Sequence, residues 1–254
     1  MNPQHIELIK NTVPVLRENG VALTAYFYAR MLKNNPDLNN VFNLDHQSTG
    51  RQSRALASAI LAYADNIENP SVLAKAIEHI TTKHVSLDIR PEHYAIVGEN
   101  LLHSISEVLD VPMQSDLIAA WEIAYTQLAE ILIGVEKQKY TDLAAQQGGW
   151  SGWRGFVVSN IENRDNGKRF TLTPQDKQPV TPAEKGRFIS VKVKVPNHSL
   201  EQPLQFIFSE DQIDQHYTFE VKAEDKSSEF SVANILLNHY QVGDTVQVTA
   251  PVKS

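Results

Sequence analysis

The 254-residue chain reads as two domains of different class, an all-helical one followed by an antiparallel β-barrel. Apolar residues recur at helical spacing from Gln4 to about Gln147 and alternate singly beyond Phe156. The two regimes meet at Gly148-Gly149-Trp150-Ser151-Gly152-Trp153-Arg154-Gly155, where four of the 11 glycines are concentrated. The predicted domains are residues 1–147 and 148–254, both within the usual domain size.

In the first half the period predicts helices over Ile6 to Glu18, Val21 to Asn34, Arg51 to Ile67, Val72 to His84, Glu92 to Leu109 and Ser115 to Ala145. Pro36, Pro70, Pro91 and Pro112 stand at or near the joints, where a fixed φ and a missing amide cost least. In the second half Ile189, Val191, Val193 and Val195 alternate with Ser190, Lys192 and Lys194, and Tyr217, Phe219 and Val221 alternate with Thr218, Glu220 and Lys222. Phe156 to Ser159, Arg169 to Leu172, Gln205 to Ser209 and Thr245 to Ala250 complete six predicted strands. Asn166-Gly167 is a hairpin-turn signal and Phe230 to Tyr240 a candidate helix. A six-stranded barrel is the simplest closure.

Composition removes several classes of chemistry. With no cysteine there are no disulfides, zinc-thiolate sites, iron–sulfur clusters or thiolate haem ligands. A formal charge of -7 without a polybasic segment argues against nucleic acid and anionic membrane surfaces as partners. The chain opens without a basic, apolar leader and shows no apolar run of about 18 residues, so a cytoplasmic protein with no membrane span is expected.

Thr82-Lys83-His84-Val85-Ser86-Leu87-Asp88-Ile89-Arg90-Pro91-Glu92-His93-Tyr94 is the segment richest in chemistry. Leu73, Ile77, Ile80 and His84 recur at steps of four and three, so the imidazole continues an apolar stripe with Tyr94 close behind. A histidine placed this way is either a satisfied core residue or a ligand, and the segment by itself favours the former. His79 and His103 are the other candidates.

The wider pattern shifts that balance. Phe27-Tyr28-Ala29-Arg30-Met31, Asn35-Pro36-Asp37-Leu38 leading to Val41-Phe42-Asn43, Gln52-Ser53-Arg54-Ala55-Leu56, Lys83-His84 and Tyr94-Ala95-Ile96-Val97-Gly98-Glu99 together resemble the globin domain of bacterial flavohaemoglobins. The similarity runs on to Ala144-Ala145-Gln146-Gln147-Gly148-Gly149-Trp150. It implies haem b with His84 as the proximal iron ligand and with Lys83, Phe42 and Leu56 beside the cofactor. It also implies that Glu136 and Tyr94 polarise the proximal side, a carboxylate near the imidazole pushing electron density onto iron. Tyr28 and Gln52 would donate hydrogen bonds to bound gas on the other face, Gln52 and Leu56 being four apart on one helix. Read without the resemblance, Glu136 is a surface charge and Tyr28 one member of an aromatic cluster with Tyr26 and Phe27. Where the family often has a second acid two positions after the Glu136 equivalent, this chain has Gln138.

Gly186-Arg187-Phe188 and the strand order resemble the FAD-binding barrel of the ferredoxin-reductase type that follows the globin domain in that family. Its Arg-x-Tyr-Ser signature aligns with Phe206-Ile207-Phe208-Ser209, so only the serine remains. The guanidinium that would hold the pyrophosphate is absent, at about 1.5–3 kcal/mol for a hydrogen bond to a charged group. Phe208 and Phe188 replace tyrosines, and Ser227-Ser228 stands where a glycine pair would admit phosphate, leaving Ser231 near a helix start. A barrel without FAD is therefore expected. No G-x-G-x-x-G loop follows a strand before the sequence ends at Pro251-Val252-Lys253-Ser254, so a nicotinamide site is not expected either.

The resemblance implies a haem protein that binds dioxygen and nitric oxide and converts them to nitrate with electrons from a separate reductase or small donor. The rival expectation is a gas sensor or binding protein whose flavin-free barrel docks a partner or a second copy, with Phe206 and Phe208 as candidates to line that surface, although strand alternation favours a core position for at least one of them. A third is a vestigial barrel that the helical half needs for its contacts.

Overall fold

The computed structural model describes residues 1–213, 215–223 and 228–253. They form two compact units that do not follow the composition break at Gly148. The first holds Met1–Asp37, His46–Thr81 and Arg90–Val135, and the second holds Leu38–Asp45, Thr82–Ile89 and the chain from Glu136 onward.

The helices are α1 (Pro3–Asn34), α2 (Leu44–Ser48), α3 (Arg51–Asp65), α4 (Ala74–Ser86), α5 (Pro91–Leu109) and α6 (Asp116–Ala145), with 3₁₀ turns at Pro36–Asn40 and Pro70–Leu73. Asn2 caps α1 by accepting from the His5 amide at 2.8 Å, with Pro3 in the first turn. The two helices expected from Ile6 to Asn34 are one. Thr24 on α1 donates to the Ser53 carbonyl of α3 at 2.7 Å, so the two helices meet at this point. Pro14 lies inside α1 on its exposed side, and packing carries the helix through it. Among the described residues α6 is the one helix whose length and composition would suffice to cross a bilayer, a feature the count of consecutive apolar residues missed. Its buried Ile118, Trp121, Ala124 and Leu132 keep the three-to-four spacing of a helix packed along one face.

The second unit contains an antiparallel sheet of β1 (Arg154–Arg164), β2 (Gly167–Pro174), β3 (Arg187–Lys194), β4 (Glu201–Ile207), β5 (Tyr217–Lys222), β6 (Thr245–Val248) and β7 (Val252–Lys253), with α7 (Val232–His239) in the expected place. The order is β4-β3-β6-β1-β2-β5, with β7 also paired to β3. The β1–β2 hairpin turns at Asp165-Asn166, one residue earlier than expected, and Gly167 opens β2. Glycine is needed there because a Cβ would sit 2.0 Å from the Val221 carbonyl oxygen.

The expected six-stranded closed barrel is a seven-stranded open sheet: among the described residues β4 and β5 are edges that share no ladder. Side chains span the seam instead. The Phe206 and Phe219 rings lie 4.4 Å apart, and those of Phe208 and Tyr217 lie 5.4 Å apart. Both Phe206 and Phe208 are buried in the sheet core, while Ile207 between them is exposed. The docking surface expected at Phe206 and Phe208 is therefore corrected, because strand alternation turns both rings inward and apolar burial holds them there. Phe206→Ala is expected to cost about 3–5 kcal/mol of unfolding free energy, the usual range for a buried phenylalanine. Urea denaturation checks this, and a loss below roughly 1 kcal/mol would contradict the seam-filling role.

Candidate functional site

The apolar stripe that carries His84 is present. Along α4 and the turn before it, Leu73, Ile77, Ile80 and His84 are half-buried while their neighbours Lys75, Glu78, His79 and Lys83 are exposed. In the second unit His84 Nδ1 lies 2.7 Å from Glu136 Oε1 on α6. The carboxylate oxygen accepts, so the proton sits on Nδ1. Glu136 is 2% exposed, which rules out the surface-charge reading, because a carboxylate this deep requires a donor. The His84 side chain retains 32% exposure, which sets it apart from a core histidine. A carboxylate that fixes Nδ1–H directs Nε2 as the ligating nitrogen, the arrangement found at metal-bound imidazoles, so this donor set fits haem iron.

In the first unit Tyr94 is buried on α5 and its carbonyl accepts from the Tyr125 hydroxyl at 2.6 Å. That contact depends on Gly98, where a Cβ would fall 2.5 Å from the Tyr125 ring. Burial raises the Tyr125 phenol well above its ordinary pKa, so it stays a donor.

The aromatic cluster on α1 sorts itself by face. Tyr26 is exposed and donates to Glu107 at 2.7 Å, Phe27 is buried, and Tyr28 is half-buried with its ring edge-on to Phe27 at 5.0 Å. Burial pushes the Tyr28 phenol up to about 12, so it is a protonated donor at neutral pH. Gln52 and Leu56 are half-buried on α3. Gln47, which the sequence reading did not single out, donates its amide to Gln52 Oε1 and so leaves the Gln52 amide nitrogen as the donor end. Phe42 is half-buried in the second unit, its amide bonded to the Leu38 carbonyl at 3.1 Å, and Lys83 is exposed on α4. The structure thus brings His84 and Glu136 into direct contact, while Tyr28, Gln52, Leu56, Phe42, Lys83 and Tyr94 are each placed by their own element.

Of the positions where the family binds flavin, Phe188 packs with Val85, Tyr140 and Val252, and Phe206 and Phe208 fill the sheet core. Ser209 is exposed. Ser231 caps α7 by accepting from the Asn234 amide, and the Ser228 hydroxyl donates to Asp45 Oδ1 at 2.6 Å. Ser227 lies outside the described residues.

Residues 25–132 match the Globin family. The chain is 44% identical to the flavohemoprotein of Chromobacterium violaceum over 99% of its own length, and spans 63% of that relative. The crystal structure of the flavohemoglobin from Malassezia yamatoensis with bound FAD and heme covers the whole chain with a TM-score of 0.87 at 26% identity, over 64% of that structure's length. A bacterial globin from Campylobacter jejuni superimposes on 55% of the chain, with 38% identity and a TM-score of 0.53, over 99% of its own length. The helical half thus belongs with the globins, and the chain as a whole is similar to flavohaemoglobins over just under two thirds of their length.

Proposed function

We propose that this protein binds one haem b through His84 Nε2 and, with it, dioxygen and nitric oxide, and that it acts as a nitric oxide dioxygenase. The observation that carries the reading is the contact between the partly exposed His84 imidazole and the buried Glu136 carboxylate. When bound, haem supplies reversible binding of both gases and their combination to nitrate, which leaves ferric iron and requires one electron per turnover. Glu136 keeps the Nδ1 proton and makes the imidazole a stronger donor. Tyr28, held protonated by burial, and Gln52, oriented by Gln47, present hydrogen-bond donors for a polar gas ligand. By the resemblance Leu56 and Phe42 would exclude water from the haem, Lys83 would stand beside it and Tyr94 would back its proximal side. A cytoplasmic setting suits the reaction, and the electron comes from a reductase or donor outside these 254 residues.

The lack of charge and hydroxyl groups at Phe206, Phe208 and Phe188 supports a sheet domain that does not bind FAD tightly. Core packing of all three means that restoring one polar group would disrupt the core before it created a phosphate contact. Multiple-turnover nitric oxide consumption with a generic reductase separates this reading from that of a gas sensor.

His84→Ala is expected to abolish the Soret band of the purified protein while circular dichroism retains the helical signal, and a normal five-coordinate ferrous spectrum in that variant would overturn the assignment. The parent protein, purified without added flavin, is expected to contain haem with essentially no FAD, and NADH alone is expected not to reduce it. Acid extraction with fluorescence detection checks this, and flavin in near-equal ratio to haem would contradict it.

A further inference from the structure

We infer that Gln205 and Thr249 of the sheet domain are positioning residues for the proximal histidine, so that the sheet sets the orientation of the His84 imidazole. The inference rests on the haem reading of His84. Its starting point is the composition of the second unit, which contains Thr82–Ile89 and Glu136 along with every strand.

A helix end leaves four carbonyls without intrahelical partners, and at the end of α4 all four can be accounted for. The His84 carbonyl accepts from the amides of Leu87 and Ile89, each at 3.0 Å, and the Val85 carbonyl accepts from Asp88 at 3.2 Å. The other two, at Lys83 and Ser86, bracket His84 and Val85. The Lys83 carbonyl accepts from Ser86 Oγ at 2.8 Å, and that hydroxyl in turn accepts from Gln205 Nε2 at 2.7 Å. The Ser86 carbonyl accepts from Thr249 Oγ1 at 3.2 Å. Thr249 is itself fixed, its amide donating to the Ser190 carbonyl and its hydroxyl accepting from the Ser190 amide, both at 3.1 Å. Ser86 is fully buried, so no solvent competes for these bonds.

The same turn is held from the α6 side. Lys139 donates to Thr82 Oγ1 at 3.1 Å, Tyr140 donates to the Ile89 carbonyl at 2.7 Å, and Val85 packs against Tyr140, Phe188 and Val252. Glu136 fixes one ring nitrogen of His84. The rotation of the helical turn that carries the ring is fixed by Ser86, and through Ser86 by Gln205 and Thr249. Ser190 supplies an internal control, because its hydroxyl is buried in the same patch but has no hydrogen-bond partner.

Resonance Raman spectroscopy of the ferrous haem protein reads the iron–histidine stretching band directly. Gln205→Leu, the milder Gln205→Asn and Thr249→Val are expected to shift or broaden that band, and Ser190→Ala to leave it unmoved. Haem transfer to an acceptor globin should be about 2- to 13-fold faster in Gln205→Leu, the effect of one neutral hydrogen bond. A parent band that stays in place in every Gln205 and Thr249 variant, or that moves equally in Ser190→Ala, would overturn the inference alone. A parent with no iron–histidine band would overturn the haem reading along with it.

Discussion

A carboxylate buried to the depth of Glu136 must be met by a donor, and His84 Nδ1 lies 2.7 Å from it. Removing the donor leaves a bond of the buried carboxylate unmet, at a cost of about 1–3 kcal/mol, more for a charged group. The pair therefore constrains both helices that contribute to it. The chain-terminal half of α6 has to bring Glu136 inward, and α4 has to end within reach of it. The contacts around the end of α4 serve that demand: Tyr140 and Lys139 lie one turn beyond Glu136 on α6 and bond to Ile89 and Thr82.

The sheet domain follows a different constraint. Among the described residues its ladder runs from β4 to β5 without closing, and apolar side chains fill the seam. Phe206 and Phe208 do so against Phe219 and Tyr217. Both rings thus serve the core of the sheet.

Much of this was legible in the sequence wherever a local period decides the outcome. The stripe ending at His84, the strand alternation around Val191 and Phe219, and the helix over α7 all follow from nearest-neighbour spacing. What spacing could not give was anything set by distant partners. The burial of Ser190, expected to face outward, depends on covering residues far away in sequence. The Ser86–Gln205 bond joins residues 119 positions apart. Glu136 would have passed for a surface charge without the family resemblance, and Gln47 carries no local signal beyond its five-residue distance from Gln52.

The account rests on Glu136 acting as the acceptor that polarises an iron-bound His84. The most direct measurement is the iron–histidine stretching frequency of ferrous Glu136→Gln against the parent. A neutral amide accepts more weakly from Nδ1 than a carboxylate, so the account predicts a lower frequency in the variant with haem still bound. An unchanged frequency would contradict it.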